Sequence, residues 1–179
     1  MNIQNFKPAN LQKYVRQISC CLLLILSFLK SNAADFYWVN GSGNWSDFAN
    51  HWATTSGGTT FHTQPPSPAD NVFLDSNSFI SSFDTLYVDQ GLTNIYCKDF
   101  KCDSLLINPT FYCHVNAVLN VFGSIILSND INFSLLGKIT FQGNAINEIF
   151  MDGIDLTNSG YPDKITFNGD GIWDLLSEA

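Results

Sequence analysis

Beyond residue 70 the chain runs as short apolar stretches, each closed by Asn, Asp, Gly or Ser: NVFLD, TLYVD, NIYC, SLLIN, VLNVFG, SIILS, INFSLL, KITFQG, EIFMD, IDLT, KITFNG and IWDLL. None is long enough, or spaced closely enough to a 3.6-residue period, to predict a helix. The region predicts strands and turns throughout. Upstream, "FYWVNGSGNWSDFANHW" (36–52) sets Trp38, Trp45 and Trp52 seven residues apart. Gly41 and Gly43 interrupt any helix there, because each glycine costs about 1 kcal/mol against alanine in a helix interior. Asn40-Gly41 between two aromatic runs predicts a turn, with "FYWV" and "NWS" as the strands of a hairpin. "SDFANHW" predicts one helical turn with Ser46 or Asp47 as N-cap. From Thr54 to Asp70 the composition shifts to Thr, Ser, Gly and Pro, and Pro65, Pro66 and Pro68 predict an extended loop.

One unit recurs among the strands. "KITFQGNAI" at Lys138 to Ile146 returns as "KITFNGDGI" at Lys164 to Ile172, an offset of 26, and Leu119, Val121 and Gly123 form a looser copy 20 residues before Ile139. Such spacings match one coil of a solenoid. The expected fold class is therefore all-β: a β-solenoid of parallel β-helix type, with the Trp-rich hairpin as its N-terminal cap. Ile139, Phe141, Ile165 and Phe167 are expected to face the core, with Thr140, Gln142, Thr166 and Asn168 facing water. Glycine marks the corner, where positive φ or close backbone approach is cheap. An antiparallel β-sandwich with look-alike hairpins is the alternative.

The N-terminal segment changes the domain count. Lys7, Lys13 and Arg16 precede a 12-residue apolar run, Ile18 to Leu29, closed by Lys30. As a helix it would cover about 18 Å, short of a hydrocarbon core of about 30 Å. It predicts a signal peptide over 1–33, cleaved near Ala33-Ala34, with no membrane span in the mature chain. Cys20 and Cys21 stand at the wrong end of the run for lipidation. The expected layout is a signal peptide (1–33), a Trp-rich cap with a Pro-rich loop (34–70), and solenoid repeats (71–179), incomplete at the C-terminus. The predicted localisation is secreted or cell-surface.

Beyond residue 33 lie all 16 acidic residues but only four of the eight basic ones, a formal charge of −12. That balance argues against a nucleic-acid partner, which needs a basic face. With 25 aromatics and few charges, the chain predicts a packed domain and not disorder.

The candidate chemistry is sparse. Cys97, Cys102 and Cys113 form an odd set, admitting one disulfide among them or three buried thiols. With His114 they spell C-x₄-C-x₁₀-C-H, which lacks the short knuckle of structural zinc sites, so no metal site is predicted. No nucleophile elbow, HExxH motif, EF-hand loop or calcium nonapeptide occurs. Asp75, Asp84, Asp89, Asp99, Asp103, Asp152 and Asp155 read as turn residues at strand ends. No catalytic residue and no cofactor is predicted. Asn40, Asn44 and Asn132 head Asn-x-Ser/Thr triplets of the kind chance supplies in an Asn-rich chain. Trp38, Trp45 and Trp52 carry two readings: an apolar cap on the first coil, or an exposed platform that stacks on sugar rings.

These residues also carry a resemblance. Trp38, Asn40, Gly41, Gly43, Trp45, Asp47, Asn50, His51 and Trp52, then Pro68, Asp70 and Val72, then the ITFxG units, resemble the N-terminal parts of large secreted, repeat-rich surface proteins of Bacteroidota. That family usually has Gly where this chain has Asn40. The resemblance implies an adhesin-like or cell-envelope protein of the kind that ends in a type IX sorting domain or a gliding-motility-associated C-terminal domain. No such domain occurs within these residues, hence the expectation of a truncated chain. Taken together, the expected function is a non-catalytic exported surface or adhesion-type structural module, with surface glycans or envelope proteins as partners. A carbohydrate-binding or polysaccharide-active β-helix, with Lys98 and Lys101 as its basic groups, is the alternative.

Overall fold

The computed structural model describes residues 33–88, 94–152 and 164–176. Contacts divide the chain into two units, Met1–Asn32 and Ala33–Ala179, and every described residue belongs to the second. All of the predicted signal peptide but its last residue, Ala33, therefore lies outside the described residues, and among the described residues no helix is long and apolar enough to cross a membrane.

The domain is a β-solenoid of about four turns. Its first coil holds β1 (Asp35–Trp38), β2 (Gly43–Asn44), the single helical turn α1 (Phe48–His51) and β3 (Trp52–Ala53). Full coils follow: β4 (Asn71–Leu74), β5 (Thr85–Val88) and β6 (Ile95–Cys97); β7 (Phe100–Cys102), β8 (Thr110–Cys113) and β9 (Val118–Val121); β10 (Ile125–Leu127), β11 (Asn132–Leu135) and β12 (Lys138–Phe141). Then come β13 (Ile146–Met151), β14 (Ile165–Phe167) and β15 (Ile172–Leu176). Stacking makes three sheets. The first has the order β3-β1-β4-β7-β10-β13-β15, the second β2-β5-β8-β11 and the third β6-β9-β12-β14. Every neighbouring pair is parallel except β1 with β3. That arrangement excludes the antiparallel sandwich.

The repeat unit fixes the register. Leu119, Ile139 and Ile165 are successive Cα partners in the third sheet, as are Val121, Phe141 and Phe167. Inward rows of this kind on all three sheets merge into one apolar column, to which each buried Leu, Ile or Phe adds about 1.5–3 kcal/mol. Thr140 and Gln142 are half-buried on the outside and Thr166 and Asn168 exposed, as the alternation requires. In the last described coil the column is open. Ile139 and Phe141 are fully buried, but Ile165 is 39% and Phe167 53% exposed. Phe167 still stacks on Phe141, ring centroids 5.0 Å apart. Its uncovered side is where another coil would lie.

The corner glycines answer to crowding, not to positive φ. A Cβ on Gly143 would stand 2.5 Å from the Phe122 carbonyl oxygen of the coil before, and one on Gly169 would stand 2.1 Å from that of Gly143. Side chains do not fit between coils at these corners.

The predicted hairpin does not form. Asn40 (φ 67°) and Gly41 (φ 71°) do adopt the left-handed conformations of such a turn. They turn a corner between two sheets instead. β2 lies parallel to β5, with Gly43 opposite Leu86, and the antiparallel partner of β1 is β3, with Trp38 opposite Trp52. The parallel edge of the next coil offers β2 backbone partners that a two-residue strand folded back on β1 would forgo. The cap is therefore α1 and β3, closing the first edge of the seven-stranded sheet. Asp47 does precede α1, but its side chain makes no capping hydrogen bond to the helix backbone. It accepts one from the Asn50 side-chain amide.

Candidate functional site

The three candidate tryptophans are interior. Trp38, Trp45 and Trp52 are 0%, 1% and 0% exposed. Trp52 meets both others edge-on, with centroids 4.9 Å from Trp38 and 4.8 Å from Trp45. Two of the indole N–H groups are satisfied inside: Trp38 Nε1 donates to the Gly41 carbonyl at 2.8 Å and Trp52 Nε1 to that of Trp45 at 2.9 Å. His51 stacks on Trp38 at 4.5 Å and its Nδ1 donates to the Val39 carbonyl at 2.8 Å, the ring filling the space a side chain at Gly43 would take. No ring face is left for a sugar, so the platform reading of these residues is overturned.

The cysteines do not pair either. Cys97 lies in the third sheet, Cys102 in the first and Cys113 in the second, each buried as a free thiol. Burial pushes the Cys102 thiol up to about 12 and that of Cys113 up to about 11, and drives Cys97 higher still. Placed on three sides of the column, they serve as small apolar side chains. Among the described residues no group of three or more His, Cys, Asp or Glu side chains could hold a metal ion.

What the structure does bring together is a set of outward side chains on the seven-stranded sheet. Its strands alternate buried and half-exposed positions, and register carries the outward ones into rows along the solenoid axis. Tyr37, Phe73, Lys101, Ile126, Phe150 and Leu176 are successive Cα partners. All six sit on the outside, half-buried except for the more exposed Leu176. Tyr37 and Phe73 stack with centroids 4.9 Å apart and ring planes 15° from parallel.

Carboxylates flank this apolar row on both sides. On one side Asp35 pairs with Asn71 and Glu148 with Asp174. Between them lie Asp99 and Ser124, joined by the Ser124 N–H donating to Asp99 Oδ1 at 2.8 Å. The Ser124 hydroxyl in turn accepts from the Glu148 N–H at 2.9 Å. On the other side Asp75, Asp103, Ser128 and Asp152 continue the ladder one residue past the strands. The proximity of the rows is visible at Tyr37, whose phenol is pushed up by burial and then by the charges of Asp35 and Asp75. Lys101 has Asp99 and Asp103 two residues away, just before and just after its own strand. Lys98 lies at the edge, its Nζ 3.8 Å from Asp99 Oδ2.

So Asp75, Asp99, Asp103 and Asp152, which the sequence presents as scattered turn residues, are aligned across coils. Asp84 sits elsewhere, in the turn before β5, and Asp89 and Asp155 lie outside the described residues. The sequence does hold a signal for the apolar row. "FYW", "VFL", "IIL" and "IFM" are apolar at consecutive positions, which marks a strand with apolar side chains on both faces, whereas "KITFQ" alternates. Asp70 is a second residue that position alone did not reveal: its buried carboxylate accepts from the Ala34 and Ser67 N–H groups, both at 2.8 Å, tying the start of β1 to that of β4.

Comparison with known proteins adds no identity: no family model matches the chain, and neither a curated protein nor a solved structure matches it.

Proposed function

We propose that this chain is a non-catalytic structural module of an exported, surface-displayed protein, acting through its outer faces in adhesion. The observation that carries the reading is the unbroken outward row from Tyr37 to Leu176, displayed by a scaffold whose interior is given over to packing. A solenoid suits such a role because each coil adds another rung of the same surface. The basic N-terminal start with its short apolar run supports export, and the Trp38-to-Trp52 and ITFxG residues support kinship with secreted repeat proteins. The test is the location of the full chain in its own cells. Labelling of intact cells by an antibody to the domain, and loss of the label on external protease treatment, are expected; a protein protected until the cells are broken would refute the reading.

Glycan binding is the second reading, and one observation favours it. On the outer face of the second sheet Tyr87, 43% exposed, stands beside Tyr112, with centroids 5.9 Å apart. A row of Thr85, Thr110 and Asn132 runs alongside. Aromatic and hydroxyl groups together are what a sugar needs. Retention on a polysaccharide resin that is lost in Tyr87→Ser would favour it.

A further inference from the structure

The geometry points to a specific partner for the outer face of the seven-stranded sheet: an extended polypeptide segment that is apolar along its middle and carries Lys or Arg on both sides. The inference rests on the proposal that this face is the displayed one, and it names what the face takes.

Three features of the face select that chemistry. First, its centre is apolar apart from Lys101. Phe73, Ile126 and Phe150 are half-buried and lie along one row, so they keep part of their surface in water as one strip, and only another apolar surface relieves that cost. Second, its margins are anionic on both sides. Asp35, Asp99, Glu148 and Asp174 form one margin and Asp75, Asp103 and Asp152 the other, against Lys101 at the centre and Lys98 at the edge. A partner bearing cations on both flanks meets both margins, whereas an anionic one is repelled by either. Third, two of its three aromatic rings, Tyr37 and Phe73, face each other. Because Tyr37 and Phe73 stack at 4.9 Å, they offer edges outward, and a sugar ring needs a face. Side chains, which pack against edges, do not.

Dimensions set the strength. Six rungs at about 4.8 Å span about 24 Å, and two residues of strand on either side of the centre give a width of about 13 Å. An area on the order of 300 Å² per partner is well below the roughly 800 Å² of a stable complex, so the contact is weak, reversible and dominated by charge.

The test uses the purified protein and three 12-residue peptides: one of Lys, Phe and Gly, one of Lys, Ser and Gly, and one of Glu, Phe and Gly. The first should bind, and about tenfold less tightly when salt rises from about 50 to about 300 mM. The second should bind at least about fivefold more weakly, and the third not measurably. The Glu148→Gln/Asp103→Asn variant changes only exposed carboxylates and should weaken the first peptide at least about fivefold, while Asp170→Asn, an exposed acid off this face, leaves it unchanged. Phe150→Ser should weaken the first peptide but not the second. Equal binding of the first two peptides, or equal loss in Asp170→Asn, would overturn the inference by showing diffuse charge alone. So would binding of a neutral gluco-oligosaccharide that Phe150→Ser abolishes. Cell-surface labelling reads location and peptide binding reads recognition, so the failure of one is distinguishable from the failure of the other.

Discussion

Trp38 and Trp52, fourteen residues apart in sequence, are Cα partners across the antiparallel pair of β1 and β3, their rings meeting edge-on at an interplanar angle of 77°. That pair closes the edge of the first coil with a strand running the other way, and the indoles fill the end of the column beneath it. Trp52→Ala would remove the ring that touches Phe36, Trp38 and Trp45 together. A cost of about 3–5 kcal/mol is expected, enough to unfold a domain of ordinary stability. Denaturant titration followed by tryptophan fluorescence measures it. A folded Trp52→Ala variant of near-normal stability would show that the cap is dispensable.

Gly143 tests the crowding of the corners. An added Cβ would lie 2.5 Å from the Phe122 carbonyl oxygen and 2.7 Å from Asn147 Nδ2, so the backbone of one coil must shift. Gly143→Ala is expected to destabilise by about 1–3 kcal/mol, although alanine is the easier residue to order. Asn144→Ala, next door and exposed, should change stability by no more than about 0.5 kcal/mol. A thermal melt of the two variants beside the parent separates these outcomes, and equal melting temperatures for the two would show that the corner yields without cost.

The column's open end gives a paired comparison within one row. Ile149 and Leu175 are Cα partners in adjacent strands, yet Ile149 is 6% exposed and Leu175 is 76%. Ile149→Ser should cost about 2–5 kcal/mol through a cavity and a buried hydroxyl. Leu175→Ser should cost less than about 0.5 kcal/mol and raise solubility. Equal losses in urea titration would mean that Leu175 is covered in solution.

How much of this was legible beforehand depends on whether local pattern or long-range register set the outcome. The third sheet was legible, because Ile139 and Ile165 carry the same five-residue signature and alternation alone tells inside from outside. The hairpin was not. Asn40-Gly41 has the conformation its sequence predicts, but which strand pairs with which is decided by the edge that Leu86 and Tyr87 present 40-odd residues later. The carboxylate rows were hidden for the same reason. Asp75 and Asp103 are 28 residues apart and Asp103 and Asp152 49, and without coil lengths, which vary from one rung to the next, nothing in the sequence aligns them.

The thiols offer a test of interior packing that involves no mutation. Thiolate is the reactive form, and burial holds Cys102 and Cys113 near 12 and 11 with Cys97 above both. At neutral pH an aromatic disulfide reagent is expected to leave Cys97, Cys102 and Cys113 unmodified in the folded protein, and to modify all three in denaturant without prior reduction. Rapid labelling of the native state would show the column open to water. A requirement for reductant would show a disulfide.

Asp84 joins the first two coils and sets an acid limit on their union. Its Oδ2 accepts from the Ile80 and Ser81 N–H groups, both at 2.8 Å, and its Oδ1 from the Ser42 hydroxyl at 2.9 Å, just beyond the Asn40-Gly41 corner. Desolvation alone would raise its pKa, but these hydrogen bonds outweigh that and hold the carboxyl below its ordinary value of 3.8. Folding therefore favours the ionised form. The stability it adds is complete well above the unfolded pKa and is lost as pH falls through that value towards the depressed folded one. Asp84→Asn should lower stability at neutral pH by on the order of 1 kcal/mol, kept small by solvent screening, and should flatten the decline between about pH 5 and about pH 3. Denaturant midpoints for parent and variant across that range measure the effect: curves that converge in acid bear out the clamp, and curves that stay parallel would mean that Asp84 contributes through shape and not through charge.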